Sequence, residues 1–163
     1  MELWDAYDRE GNRIAGIVLR RGEPIPDGVY HLVADVILRH SDGTYLLMRR
    51  DMSKQHGGGL WEATAGGSAL AGEDAYACAM RELYEETGIS VTSLTLVGTS
   101  VNEARDTLYR EYAAETDCAK DAVRLQSGET MDYRWVTVDE MRAMRAEGLL
   151  TLRTRAYVDS LVN

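Results

Sequence analysis

An acidic helix end constrains the fold of this chain more than any other feature of its 163 residues. Residues 73–87 predict a helix, and Gly88 directly after them is typical of a left-handed C-terminal cap. The last turns carry Glu82, Glu85 and Glu86 at positions i, i+3 and i+4, so the three carboxylates share one helix face. Any fold that contains this helix must therefore compensate a concentrated negative charge.

Two features of this acidic face favour a bound cation over a solvated surface, which is the alternative interpretation. Like charges at this spacing repel, and negative charge near a helix C-terminus also opposes the helix dipole. Arg81 can pair with Glu85, which still leaves Glu82 and Glu86 clustered. Because carboxylate oxygens are the ligands that Mg²⁺ takes, a divalent cation would remove the repulsion.

A pair of glycines, Gly66 and Gly67, lies in a predicted loop ahead of the helix. Without side chains, the backbone there can approach a metal or ligand closely, although such a pair alone often marks a simple turn. The pair does not belong to a nucleotide P-loop, because no Gly-Lys-Ser/Thr sequence follows it. It adds a second element to a candidate metal site.

The rest of the chain predicts groups of strands with few helices between them. Residues 2–20 predict a β-hairpin, further strands are expected in the segments 29–50 and 93–116, and two helices follow the strand at 133–138. The length suggests one domain over residues 1–163, in which residues 1–30 form an N-terminal hairpin extension. This grouping favours an α+β fold, with helices packed on the faces of a mixed β-sheet.

Charge and cysteine content restrict the partners and the compartment. The net charge of −9 disfavours nucleic-acid polymers and anionic membranes, but not a small anionic ligand whose charge a bound cation offsets. Cys78 and Cys118 form neither a disulfide framework nor a zinc cluster. No apolar run reaches the ~18 residues that a membrane span needs, and the first residues lack the pattern of a secretion signal. We therefore expect a cytoplasmic protein with reduced thiols.

The glycine, glutamate and arginine positions together form a motif with fixed spacing. Gly67, then Glu73 after five intervening residues, and then residues 81–89 (RELYEETGI) after seven more resemble the Nudix box at every defining position. The resemblance to Nudix hydrolases implies an α/β/α sandwich around a mixed β-sheet. It also implies hydrolysis, dependent on Mg²⁺ or Mn²⁺, of a diphosphate linked to another group.

The resemblance also implies roles for individual residues. The implied metal ligands are Glu82, Glu85, Glu86 and the backbone oxygen of Gly67. Glu73 and Arg81 would orient the loop and the helix, since metal ligands need fixed partners. The proton acceptor in catalysis would be a box glutamate, Glu85 or Glu86, or else Glu129 in a later loop, where a solvated side chain is the alternative.

A second resemblance covers the segment before the box. Residues 49–67 are similar to isopentenyl-diphosphate isomerases, in which an arginine and a lysine hold the substrate diphosphate; the matching positions are Arg50 and Lys54. Either side chain could instead be solvated. Those isomerases carry a catalytic cysteine and a metal-binding histidine where this chain has residues 65–68, and neither of its cysteines falls there. We therefore predict a hydrolase of an isomerase-like subgroup. Because that metal-binding histidine is missing, His31 has no partner for a metal site and is expected to be a core or strand histidine.

The expected substrate is a small-molecule diphosphate, such as a nucleoside diphosphate linked to another moiety. Two alternatives stay open, an isomerase of allylic diphosphates and a non-catalytic module that binds a nucleotide or phosphosugar. The intact box glutamates disfavour the non-catalytic module. A homodimer formed through the N-terminal hairpin is also left open.

Overall fold

The computed structural model describes residues 1–161, and its first element is a separate β-hairpin. Strands β1 (Leu3–Tyr7) and β2 (Arg13–Arg20) pair antiparallel as a two-stranded sheet, as predicted. The hairpin has its own small buried cluster, formed by Trp4, Ala6, Leu19 and Val29. An antiparallel bridge between Tyr7 and Tyr30 joins it to the rest of the chain.

A mixed sheet of seven strands forms the centre of the molecule. Its strands are β3 (His31–His40), β4 (Tyr45–Arg50), β5 (Trp61–Glu62), β6 (Thr64–Ser68), β7 (Thr95–Asn102), β8 (Thr107–Thr116) and β9 (Thr130–Val136). The order is β5-β4-β3-β8-β7, with β6 paired to β3 and β9 paired to β4. The β3–β8 pair is parallel and the other pairs are antiparallel, which makes the sheet mixed.

Helices cover both faces of this sheet. Helix α1 (Ala75–Thr87) packs on β3 and β6, whereas α2 (Val138–Ala146) and α3 (Leu152–Ser160) pack on the opposite face. Alternation along β4 separates the two cores, because Leu46 and Met48 join the α1 core while Leu47 joins the other. The predicted mixed sheet between helical layers is therefore confirmed.

The local predictions need one correction. The loop expected at Gly66 and Gly67 is instead strand β6, in which they pair with Asp35 and Ala34 of β3. Glycines have low β-propensity, so the local sequence gives no sign of this non-local pairing. The helix also begins slightly later than predicted, at Ala75 after the N-cap.

Among the helices within residues 1–161, none is long and apolar enough to cross a membrane. The prediction that residues 1–163 form one domain, with residues 1–30 as an extension, stays a prediction.

Candidate metal and diphosphate site

Both ends of α1 are fixed by local hydrogen bonds. At its start the Asp74 side chain accepts from the Ala77 N–H at 2.7 Å. At its end Gly88 takes a left-handed conformation, φ 71°, and donates its N–H to the Tyr84 carbonyl. Because buried Leu83 fixes the face that packs on the sheet, the position of the box glutamates follows from this helix.

The guanidinium of Arg81 binds three of the four box glutamates. It donates to both carboxylate oxygens of Glu73, at 2.8 and 2.9 Å, and to Glu82 Oε1 at 2.7 Å. It also donates to Glu85 Oε2 at 3.2 Å and to the Ser68 carbonyl at 3.2 Å. Arg81 thus ties α1 to β6 and to the turn between them, while Glu85 lies largely exposed.

Glu86 is the box carboxylate without such compensation. It is half-buried, and no residue within 1–161 forms an ion pair or hydrogen bond with its side chain. Burial, followed by the carboxylates of Glu82, Glu62, Glu129 and Asp35, raises the pKa of Glu86 well above its usual range. The acidic side chains around Glu86 therefore form a local excess of negative charge.

This excess fits a hard divalent cation, whose charge would offset that of Glu86 and Glu82. In the described part of the chain, however, no three His, Cys, Asp or Glu side chains already converge in the manner of a metal site. In this arrangement Glu82 is turned to Arg81. The ligand roles of the box glutamates and of Gly67 thus stay predictions.

Close contacts with the β3 backbone require a glycine at position 66, whereas Gly67 lies against the end of the Glu82 side chain; neither glycine has a positive φ. A Cβ atom at Gly67 would lie 2.6 Å from Glu82 Oε1, so β6 and α1 approach each other directly at this residue. A Cβ atom at Gly66 would lie 2.2 Å from Asp35 Oδ1 and 2.3 Å from the Ala34 carbonyl oxygen. The Gly67 carbonyl accepts a hydrogen bond from the buried Cys78 thiol at 3.4 Å.

The two predicted diphosphate ligands lie near the same acidic group, each paired with a carboxylate. Arg50 Nη1 donates to Glu62 Oε2 at 2.6 Å, and the ammonium of Lys54 forms an ion pair with Glu129. Glu129 and Glu62 are both among the carboxylates that act on Glu86. The structure therefore brings Arg50, Lys54 and Glu129 to the box, although they are distant from it in sequence.

His31 lies in the interior between the hairpin and the sheet. Its ring stacks on Trp4 with 4.5 Å between centroids, and its nitrogens contact Thr107 Oγ1 at 2.8 Å and Ser68 Oγ at 3.3 Å. Burial lowers the pKa of His31. These contacts confirm the prediction of a core or strand histidine.

Sequence reasoning missed three charged residues near the box. Asp35 lies on β3, Glu62 on β5 and Arg153 on α3, and Arg153 forms ion pairs with Asp35 and with Glu111, the latter at 2.9 Å. The one signal in the sequence is Asp35, an acid inside the apolar run VADVIL. Arg153 has no comparable signal, because nothing near it in sequence belongs to the site.

A cleft leads away from this group of residues. A cavity of about 540 Å³ borders Arg50, Glu62 and Gly66, and a larger one of about 920 Å³ extends between β7, β8 and α3. Both are lined by Arg105, Tyr109, Leu152 and Arg153 among others. The Arg153 guanidinium carbon lies 3.9 Å from the centre of the Tyr109 ring. The cleft is large enough for a small-molecule ligand.

Comparison with known proteins identifies this arrangement. A sequence model described as NUDIX domain matches residues 29–154. An uncharacterized Nudix hydrolase of Listeria monocytogenes is 33% identical over 151 residues, which cover 91% of this chain and 87% of that protein. An isopentenyl-diphosphate Delta-isomerase of Streptomyces avermitilis is 33% identical over 97 residues, which cover 60% of this chain and 49% of that one. A crystal structure of a Deinococcus radiodurans protein superposes with a TM-score of 0.75 at 18% identity and 98% coverage of both chains.

Proposed function

Because this chain belongs to the Nudix hydrolase family, we propose that it hydrolyses the diphosphate bond of a nucleoside diphosphate linked to another moiety, with Mg²⁺ or Mn²⁺. Members of the family are in general hydrolases of pyrophosphate bonds that depend on divalent metal ions. The proposal goes further than this general activity at two points, because it names a nucleoside compound as the substrate and Mg²⁺ or Mn²⁺ as the metal ion.

The observation that carries the proposal is the state of Glu86. The ionised form of a half-buried carboxylate with no cationic partner in residues 1–161, surrounded by four other carboxylates, is unfavourable unless a cation binds there. Glu82 and Glu86 would hold the metal ion, with Glu85 and the Gly67 carbonyl as further ligands. When bound, the ion supplies positive charge against the substrate diphosphate.

The chain's own residues would bind and orient the substrate. Arg50 and Lys54 would exchange their present carboxylate partners for phosphate oxygens, the first as a fork and the second as a point charge. Release of Lys54 would free Glu129 to accept the proton of the attacking water, with Glu85 or Glu86 as the alternative acceptor. The water oxygen forms the new bond to phosphorus as the bridging P–O bond breaks.

The cleft beside the box supports a nucleoside in preference to an isoprenoid chain. Its lining includes five charged side chains, which are Asp35, Glu103, Arg105, Glu111 and Arg153. An alkyl chain would remove water from these charged groups without offering them polar contacts, which is unfavourable even for groups that are already paired. A nucleobase offers an aromatic face to Tyr109 and polar edges to the charged side chains.

The isomerase alternative lacks a thiol in a suitable state. Cys78 lies on the box helix itself, but it is fully buried and donates to the Gly67 carbonyl. Burial raises the pKa of Cys78 to about 12, so the thiol is a poor proton donor or acceptor near neutral pH.

The test is chromatography of the phosphorylated products formed from a panel of diphosphate compounds with Mg²⁺ and with Mn²⁺, because hydrolysis of a linked diphosphate gives two phosphomonoesters and no free phosphate. The panel contains nucleoside diphosphate sugars, nucleoside triphosphates and isoprenoid diphosphates, and the proteins are wild type and Glu86→Gln. We expect wild type to cleave a nucleoside compound and Glu86→Gln to lose more than about 100-fold in kcat. Glu147→Gln, at an exposed acid after α2, is the matched control. Equal rates for Glu86→Gln and wild type would overturn the proposal.

A further inference from the structure

The N-terminal hairpin lies outside the residues that match the NUDIX domain, yet it contacts the connection between β6 and α1. The match covers residues 29–154, whereas β1 and β2 end at Arg20. The connection is the turn formed by residues 69–74, which links Gly67 to the box helix. Contacts between the hairpin and this turn therefore involve residues outside the matched domain.

Asp5 makes the main contact. Its Oδ2 atom accepts the Gly72 N–H at 2.8 Å, and its Oδ1 atom accepts from Arg13 Nη2 at 2.7 Å. Asp5 is 4% exposed, and a buried carboxylate is costly unless hydrogen bonds satisfy it. One of its two partners belongs to the turn and the other to the hairpin, so the carboxylate joins the two.

The hairpin is shaped to present Asp5 to the turn. The register of β1 with β2 shifts between Asp5 and Ala6, and such irregularities redirect a side chain. Beside it, the Leu3 carbonyl accepts the Ala71 N–H at 2.8 Å. Two adjacent backbone donors of the turn are thus bound by the hairpin.

The turn passes this restraint to the metal site. Glu73 Oε2 accepts the Leu70 N–H at 2.9 Å, so Glu73 closes the turn that Asp5 holds. Glu73 binds Arg81 through both carboxylate oxygens, and Arg81 binds Glu82. The contacts form one continuous path from Asp5 to a predicted metal ligand.

A second contact of the hairpin reaches the same arginine by another route. Trp4 stacks on His31, and His31 contacts the hydroxyl of Ser68. The Ser68 carbonyl accepts from Arg81 Nη2 at 3.2 Å. Strand β1 therefore supports both sides of the β6–α1 connection, through Trp4 on one side and Asp5 on the other.

We propose that Asp5 is a positioning residue of the metal site, which acts through the turn at Gly72, through Glu73 and through Arg81. The ligand of the site is a divalent cation, so this inference rests on the proposed function. Asp5 touches neither metal nor substrate. Its effect is to fix the position of the Arg81 guanidinium and hence that of the Glu82 carboxylate.

The first arm of the test measures the link without any metal. Hydrogen–deuterium exchange is followed in metal-free wild type, Asp5→Ala, Asp5→Asn and Arg21→Gln. Asparagine keeps an acceptor for the Gly72 N–H, and Arg21→Gln breaks the exposed Arg21–Glu2 pair of the same hairpin. In Asp5→Ala we expect the amide hydrogens of residues 70–73 to exchange about tenfold faster than in wild type. In Asp5→Asn and Arg21→Gln we expect exchange rates close to those of wild type. Unchanged exchange at residues 70–73, or faster exchange that is equal throughout the chain, would overturn the inference.

The second arm measures Mn²⁺ binding to the same four proteins by electron paramagnetic resonance. We expect the Kd of Asp5→Ala to rise about tenfold, with rescue by asparagine and no change in Arg21→Gln. A wild-type affinity in Asp5→Ala would also overturn the inference. If wild type binds no Mn²⁺, the proposed function fails, and the exchange arm alone decides whether Asp5 holds the turn.

Discussion

Arg81 binds three carboxylates of the box at once, so a single substitution can test how the site is held. Lysine keeps the charge but has no planar fork, and it cannot bind Glu73 through two parallel hydrogen bonds while also reaching Glu82. We expect Arg81→Lys to weaken Mn²⁺ binding by about 10- to 100-fold. We also expect it to lower the free energy of unfolding by about 1–3 kcal/mol.

Calorimetric metal titration and urea unfolding measure the two effects. Arg142→Lys is the control, because Arg142 forms an exposed pair with Asp139 on α2. An Arg81→Lys protein that binds metal as tightly as wild type would show that the network is dispensable.

Asp35 gives a prediction for pH. Burial, only partly offset by Arg153, raises the pKa of Asp35 from 3.8 to about 7. Between about pH 4 and pH 7 the folded protein therefore holds a proton that the unfolded chain releases. The contribution of Asp35 to the free energy of unfolding therefore falls as the pH rises through that window.

Asp35→Asn removes this dependence. We expect the free energy of unfolding of the variant, relative to metal-free wild type, to increase as the pH is raised from 5 towards 8. Urea unfolding at a series of pH values measures the difference. A difference that stays constant with pH would mean that Asp35 is ionised in the folded protein throughout.

At the level of single residues, the box could be predicted because its residues are consecutive or at short fixed spacings. Glu62, Arg153 and the Asp5 contact could not, because each reaches the site through strand register or helix packing. Arg153 is 72 positions after Arg81 in the chain, and only the fold relates them. The pairing of Lys54 with Glu129 is equally non-local.

At the level of elements, the contribution of the C-terminal cap of α1 to stability can be tested by substitution of Gly88. Gly88 has φ 71°, and a Cβ atom there would lie 3.0 Å from Arg124 Cβ. We expect Gly88→Ala to destabilise the protein by about 1–2 kcal/mol, from strain in the left-handed region together with the contact. Gly128→Ala is the matched control, since Gly128 has φ 80° but nothing within 4 Å of its added Cβ.

Urea unfolding of the two alanine variants separates the contributions. The control is expected to lose only the part due to backbone strain. Equal losses in both variants would mean that Arg124 moves aside without cost.

Elements with a regular local pattern can be predicted from the sequence, whereas a strand that is defined only by its pairing with a distant strand cannot. The hairpin and α1 are confirmed because propensity, turn residues and caps agree there. Strand β6 was mistaken for a loop because its glycines serve close packing against Asp35 and Glu82, which local sequence does not reveal.

For the whole molecule, metal binding is expected to increase the free energy of unfolding. A ligand that binds only the folded state adds about 2.7 kcal/mol at a concentration of 100 times its Kd. We expect Mn²⁺ to raise the unfolding temperature of wild type and of Glu147→Gln, but not of Glu86→Gln. Thermal unfolding with Mn²⁺, and again after a chelator, measures the effect. Equal stabilisation of Glu86→Gln would place the ion elsewhere.

The lack of space at Gly66 and Gly67 also bears on how activities could interconvert during evolution. Relatives of this chain include isomerases, and residues 49–67, which contain these glycines, are similar in sequence to such enzymes. A side chain introduced at position 66 would collide with Asp35 and with the β3 backbone, and one at position 67 would collide with Glu82. At position 66 the β3 backbone itself excludes a side chain, so a change of Asp35 alone would not make room. At position 67 the tolerated residue depends on the side chain at position 82, so substitutions at these two positions are coupled.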